Sequence, residues 1–247
     1  VACGPATCWP LRMLGGGTEA MHYLLTHLGA AWTLTVIHLR LSLVPVLLGL
    51  VISVPLGVFV QRRTALRRLT TATASVVFTI PSLALFVVLP LIIKTRILDE
   101  TNVIVALTAY TTALLVRAVL EALDAVPAAV RDAATAVGYT PLGRMVKVEL
   151  PLAVPVLVAG LRVVVVTNIA MVSVGAVIGI GGLGTWFTAG YQTNKTDQIL
   201  AGIITIFLLA VVIDMLLNLA GWLATPWQRA KVRRRRLVRA PIVGGAR

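Results

Sequence analysis

Apolar positions in this chain are gathered into five long runs, at about residues 34–59, 71–93, 102–123, 152–180 and 198–223. Each is long enough for the ~20 residues that a bilayer-spanning helix needs. Short polar connections separate them, so the pattern predicts an all-α integral membrane protein with five transmembrane helices. Pro45, Pro55, Pro81 and Pro90 fall inside the runs. Such prolines break soluble helices but are tolerated in membranes, where neighbouring groups satisfy the freed backbone. A soluble protein with buried helices is disfavoured, because core helices of that kind usually carry apolar runs of about 10–14 residues. A β-barrel is disfavoured too. Stretches such as 163–166 are β-branched, but no segment alternates apolar and polar positions as barrel strands do.

Composition agrees: 58% of residues are hydrophobic and 13% charged, against about 25% charged in ordinary globular domains. The charge is unevenly placed. Arg62, Arg63, Arg67 and Arg68 fill the first connection, and Arg131, Arg144 and Lys147 fall in the third. Arg229, Lys231, Arg233 to Arg236 and Arg239 crowd the tail. The second and fourth connections are short and balanced by Asp99, Glu100 and Asp197. Basic residues in short loops are retained in the cytoplasm, so five spans place the amino terminus outside and the carboxyl terminus inside. Topology and attraction to anionic lipid account for the net charge of +13, and no nucleic-acid partner is expected. Cys3 and Cys8 make no disulfide framework or metal site. Residues 1–20 lack the basic and apolar regions of a signal peptide. They read as a leader or a misassigned start with little order, ahead of a helical pattern that begins near Met21. The expected organisation is therefore a leader at 1–20, a transmembrane domain at 21–227 and a basic cytoplasmic tail at 228–247.

The third connection carries the sharpest local signal. Pro127 opens a helix, residues 128–136 are good helix formers, Gly138 permits a break, and Thr140-Pro141 starts a second helix. The result is a hairpin of small residues over about 125–151, a shape that a partner's groove can grip. Within it, Asp132-Ala133-Ala134 is followed by three residues, Gly138, nine residues and Val148-Glu149-Leu150-Pro151. This resembles the signature of ABC importer permeases, E-A-A, three residues, G, nine residues, I-x-L-P, with Asp132 in place of Glu and Val148 in place of Ile. The likeness runs from Met21 to about Trp227. Ile80 to Leu85, Val148 to Ala153, Ala159 to Arg162 and Ile178 to Gly184 look like the osmoprotectant branch, which imports glycine betaine, carnitine, choline and related compounds. What the resemblance implies is a five-helix permease fold paired with a second permease, the same or paralogous. It also implies ATPase subunits docked on the hairpin through Asp132, Ala133, Ala134, Gly138, Tyr139, Pro141, Leu150 and Pro151, and an extracytoplasmic substrate-binding protein.

Gly179, Gly181 and Gly184 also satisfy the dinucleotide-binding pattern G-x-G-x-x-G. A membrane span precedes them instead of a strand, however, and the nearest acid, Asp197, follows too soon. Gly181, Gly182 and Gly184 read better as a flexible or closely packed segment near a translocation path. The chain lacks a G-x-x-x-x-G-K-[ST] loop, so ATP chemistry is expected in a separate subunit, with no cofactor here. His22, His27 and His38 have no companions at metal-ligand spacing, and His38 reads as an outer-interface residue. Arg117, Arg162, Asn168 and Asp214 are the candidate intramembrane polar positions. At about 1.5 Å per residue, Arg162 and Asp214 both lie roughly 14–15 Å from the cytoplasmic ends of their helices, so they are expected to form a buried pair or at least to face one polar cavity. The alternative is that Asp214 faces a water-filled path or the second permease. Arg40 and Arg117 sit nearer span ends and can snorkel. A membrane enzyme would need clustered nucleophiles or ligands, and only scattered Arg117, Glu121, Arg162 and Asp214 are available. A non-transporting scaffold, or an importer of methionine, a polyamine or a thiolated betaine, stays open as an alternative. Quaternary ammonium groups are held by aromatic cages. With 6% aromatics in this chain, the cage is expected in the binding protein.

Overall fold

The computed structural model describes residues 9–227, and Cys3, Cys8 and the tail at 228–247 lie outside the described residues. Ten α-helices follow in order: α1 (Trp9–Thr26), α2 (Leu28–Val60), α3 (Thr64–Thr79), α4 (Ser82–Ile93), α5 (Glu100–Asp124), α6 (Ala128–Ala136), α7 (Pro141–Arg144), α8 (Leu150–Gly175), α9 (Thr185–Gln192) and α10 (Thr196–Ala224). A π-turn at Met145–Glu149 joins α7 to α8, and a 3₁₀ turn at Ala176–Ile178 follows α8. Among the described residues, four stretches are long and apolar enough to cross a bilayer alone: α2, α5, α10 and the continuous run Pro141–Ile178. A fifth crossing requires α3 and α4 to form one span, bent by 100° between them.

The bend falls inside the single span expected over 71–93, and it has a local cause. Pro81 lacks an N–H and pushes the residue before it out of the helical region, and Ile80 is accordingly extended, with ψ 128°. The carbonyl of Ile80 is taken by the hydroxyl of Tyr110 on α5, a side chain only 1% exposed. Pro45, Pro55 and Pro90 stay inside continuous helices. The fourth span differs from the expected one, because the second arm of the hairpin runs into it without a break from Pro141. At the other end of the chain α1 begins at Trp9, ahead of Met21, and Ala20 is fully buried in a cluster with Ala31, Trp186 and Ala201.

Helix α5 is the axis of the bundle, with α2, α3, α4 and α8 packed around it and α10 against α8. Leu41, Phe86, Leu107 and Val172 form one buried cluster; Val119, Leu123, Met145 and Ala153 form another nearer the basic connections. In lipid, helices associate through close van der Waals packing and interhelical hydrogen bonds. Both are present. A Cβ on Gly57 would lie 2.5 Å from Val119, and one on Gly160 2.7 Å from Ala118, so only glycine lets these helices approach so closely. Asn168 on α8 donates to the hydroxyl of Thr111 on α5 at 2.7 Å and to the carbonyl of Ser42 on α2 at 3.4 Å. His38 corrects its sequence reading as an outer-interface residue: it is fully buried between helices, its Nε2 2.9 Å from the carbonyl of Ile169. The α2 and α8 backbones are close enough there for one ring to bridge them.

Candidate coupling hairpin and intramembrane polar residues

The hairpin forms as its prolines and glycine dictate. Pro127 precedes α6 with φ −60° and ψ 139°, and Gly138 turns the chain with φ +94°, a conformation L side chains rarely adopt. Thr140 then caps α7, its hydroxyl accepting from the N–H of Gly143 at 3.1 Å with Pro141 in the first turn. Asp132, Ala133, Gly138, Tyr139 and Pro141 are exposed, whereas Ala134 is buried and Leu150 and Pro151 are partly buried where α8 begins. Leu150 packs against the cluster around Leu123 and Met145. Sequence reasoning overlooked the apolar residues that decorate the surface: Val137 is 79% exposed and Leu142 73%, with Val146 beside them.

Overlooked as well was Glu149, inside the very motif that located the hairpin. It is fully buried, and one carboxylate oxygen accepts from Arg62 Nη2 and Arg144 Nε, each at 2.9 Å. Arg144 also reaches the hydroxyl of Thr135 across the hairpin. An acid wedged between apolar residues next to a basic connection was the available signal; burial and partners were not legible from one dimension.

The intramembrane residues separate into three settings. Arg162 and Asp214 meet as expected, in a two-pronged contact with Nε to Oδ1 at 2.7 Å and Nη2 to Oδ2 at 2.6 Å, while Nη1 lies 3.3 Å from Asn218. Each side chain is one third exposed, and Arg162 borders a pocket of about 210 Å³ that Asn218 and Trp222 also line. Arg117 instead turns to α3, donating to the carbonyl of Thr71 at 3.2 Å and to the hydroxyl of Ser75. Asn168 is the interior link already described.

The glycine segment is closely packed. A Cβ on Gly181 would lie 2.8 Å from the backbone N of Ala176, and one on Gly184 2.9 Å from the Cα of Ser173. One on Gly182 would collide with the α2 backbone at Leu34 and His38. Gly179 has φ +85°, which closes the turn after α8. His22 on α1 and His27 in the turn before α2 border an open pocket of about 360 Å³ with Glu19, Tyr23 and Asp197.

Comparison with known proteins places this geometry. Residues 49–225 match the family described as binding-protein-dependent transport system inner membrane component. The osmoprotectant import permease protein OsmW of Salmonella typhimurium is 37% identical over 212 residues, which is 84% of this chain and 98% of the relative. A glycine betaine/carnitine/choline transport system permease protein, OpuCD of Bacillus subtilis, is 34% identical over 75% of this chain and 79% of its own length. Among solved structures, inward-facing MetNI, a methionine ABC transporter, aligns with a TM-score of 0.64 at 28% identity, over 75% of this chain and 89% of that one. The match takes in the bent α3–α4 pair, the hairpin and the last helix alike, so the chain belongs to the family of binding-protein-dependent transport system inner membrane components.

Proposed function

We propose that this multi-pass membrane protein is the permease subunit of an ABC importer that carries an osmoprotectant such as glycine betaine, carnitine or choline into the cytoplasm. Identity to an osmoprotectant permease over 98% of that relative's length is the observation that carries the substrate class. Under this reading the end bearing Arg62, Arg131 and Arg144 faces the cytoplasm, following the positive-inside asymmetry, with the amino terminus outside. ATP is hydrolysed by separate nucleotide-binding subunits. The α6–α7 hairpin docks in a groove on each of them, offering Asp132, Ala133, Tyr139 and the exposed Val137 and Leu142. Docking, hydrolysis and release rock the helices between outward- and inward-open arrangements around a second permease. An extracytoplasmic binding protein delivers the solute, and Arg162, Asn168, Asp214 and the segment from Gly181 to Gly184 order the path side of the bundle.

The test is reconstitution of the complex in proteoliposomes with uptake of labelled glycine betaine, alongside Gly138→Trp. That variant should insert normally yet fail to hold the ATPase subunit, because the turn needs φ +94° and the interface needs close approach. Parental substrate-stimulated ATPase activity in Gly138→Trp would sink the docking reading. A second reading, import of methionine, is favoured by the fold match to a methionine transporter. Uptake of methionine with none of glycine betaine would select it.

A further inference from the structure

The arginines of the first connection explain topology as a group, but two of them are used individually. Arg62, just past the end of α2, reaches the fully buried Glu149 at 2.9 Å. Arg67, in the first turns of α3, grips both carboxylate oxygens of Asp124, one of them at 3.1 Å. Asp124 is the last residue of α5, immediately before the hairpin, and Glu149 closes the π-turn immediately after it. Both roots of the hairpin are therefore tied to one elbow of the chain. Arg63, between them in sequence, lies instead over the ring of Phe59 at the end of α2, at 4.4 Å.

A buried carboxylate is a poor way to gain stability, since desolvation offsets much of its attraction to the guanidinium groups, and apolar replacements often do as well. Here one oxygen serves two arginines while Oε2 has no protein partner. Its geometric effect is larger. Without these ties the hairpin could swing at two weak points, the turn through Ala125–Pro127 that separates α5 from α6 and the π-turn at Met145–Glu149. Both are places where regular α-helical hydrogen bonding is interrupted.

We propose that Arg62–Glu149–Arg144 and Arg67–Asp124 form a bracket that makes the α2–α3 elbow move as one body with the hairpin. Force applied at the hairpin then reaches the bent α3–α4 span as well as α5 and α8, and α3 is held in step by Arg117 on α5. Arg62, Glu149, Arg67 and Asp124 are positioning residues in this scheme. The inference rests on the docking reading of the hairpin.

The test uses the complete importer in proteoliposomes, comparing Arg62→Gln, Arg62→Lys and Arg68→Gln. Arg68 is exposed on the same segment and controls for the loss of a positive charge. Three quantities are measured: ATPase subunit retained, ATP hydrolysed, and solute taken up per ATP. Arg62→Gln should retain the ATPase subunit fully while uptake per ATP falls at least about fivefold, the low end of typical coupling free energies. Arg62→Lys should recover a substantial part, since it keeps one charge-assisted hydrogen bond. Arg68→Gln should match the parent. Parental uptake per ATP in Arg62→Gln overturns the bracket, as does an equal loss in Arg68→Gln or a loss of bound ATPase subunit in Arg62→Gln. Failure of the docking reading appears elsewhere, in an unimpaired Gly138→Trp.

Discussion

Adding one methyl group at Gly182 tests how the glycine segment after α8 is seated on α2. The new Cβ of Gly182→Ala would fall inside contact distance of the Leu34 carbonyl oxygen, 2.6 Å from the backbone N of His38 and 2.7 Å from its Cβ. Two of these atoms are backbone, so no rotamer change relieves the clash and α2 must separate from the turn by several tenths of an ångström. Overpacking of this kind costs about 1–3 kcal/mol. Separation also pulls His38 from the Ile169 carbonyl, now 2.9 Å away, for a further ~0.5–1.5 kcal/mol. A total of roughly 2–4 kcal/mol corresponds to a fall in Tm of roughly 4–16 °C for a chain of this size. The assay is thermal unfolding of the detergent-purified protein, followed by the fraction that still elutes as a monodisperse peak after heating. Gly29→Ala is the control. It lies in α2 with nothing within 4 Å of its added Cβ, so alanine should leave Tm unchanged or raise it by the helix-propensity difference. A Gly182→Ala protein as stable as the parent would refute the reasoning, because it would mean that the turn does not press on α2.

Two other expectations concern charged groups. Asp99 caps α5, and hydrogen bonds from Thr101, one of them from its N–H at 2.8 Å, hold its carboxyl below the usual carboxylate range. A depressed folded-state value means a stabilising contribution that is complete above the unfolded pKa of about 3.9 and lost as pH falls through the folded value. Asp99→Ala should accordingly lower Tm at pH 7 and flatten the decline below about pH 4; an unchanged acid limb would discount the cap. For the pair on α8 and α10, Arg162→Ala and Asp214→Ala should each reduce yield and uptake on the order of tenfold, since each leaves an unpaired charge at membrane depth. The double variant should be less damaged than the product of the two, and strict multiplicative losses in uptake would dissolve the pair.

What the linear sequence determined about this protein is whatever depends on length, local backbone chemistry or depth. Apolar runs of twenty or more residues had to become membrane helices, because unpaired backbone cannot sit in lipid. Pro127, Gly138 and Thr140-Pro141 set the hairpin through φ restriction, a positive φ and a cap, all of which act within a few residues. The pairing of Arg162 with Asp214 was legible because helix rise converts residue counts into depth, and two opposite charges at one depth have strong reason to meet. Tertiary structure decided what depends on which neighbour arrives. Five prolines inside apolar runs look equivalent in sequence, yet the 100° bend occurs at Pro81, where Tyr110 from another helix can satisfy the carbonyl of Ile80. His38 and Asn168 could face lipid, path or interior by rotation alone, and close approach of α2, α5 and α8 buried both. Glu149 and the arginines of the first connection are separated by 87 residues at their closest pairing. Only the folded bundle brings the end of α2 beside the root of the hairpin, where Arg62 meets the buried Glu149.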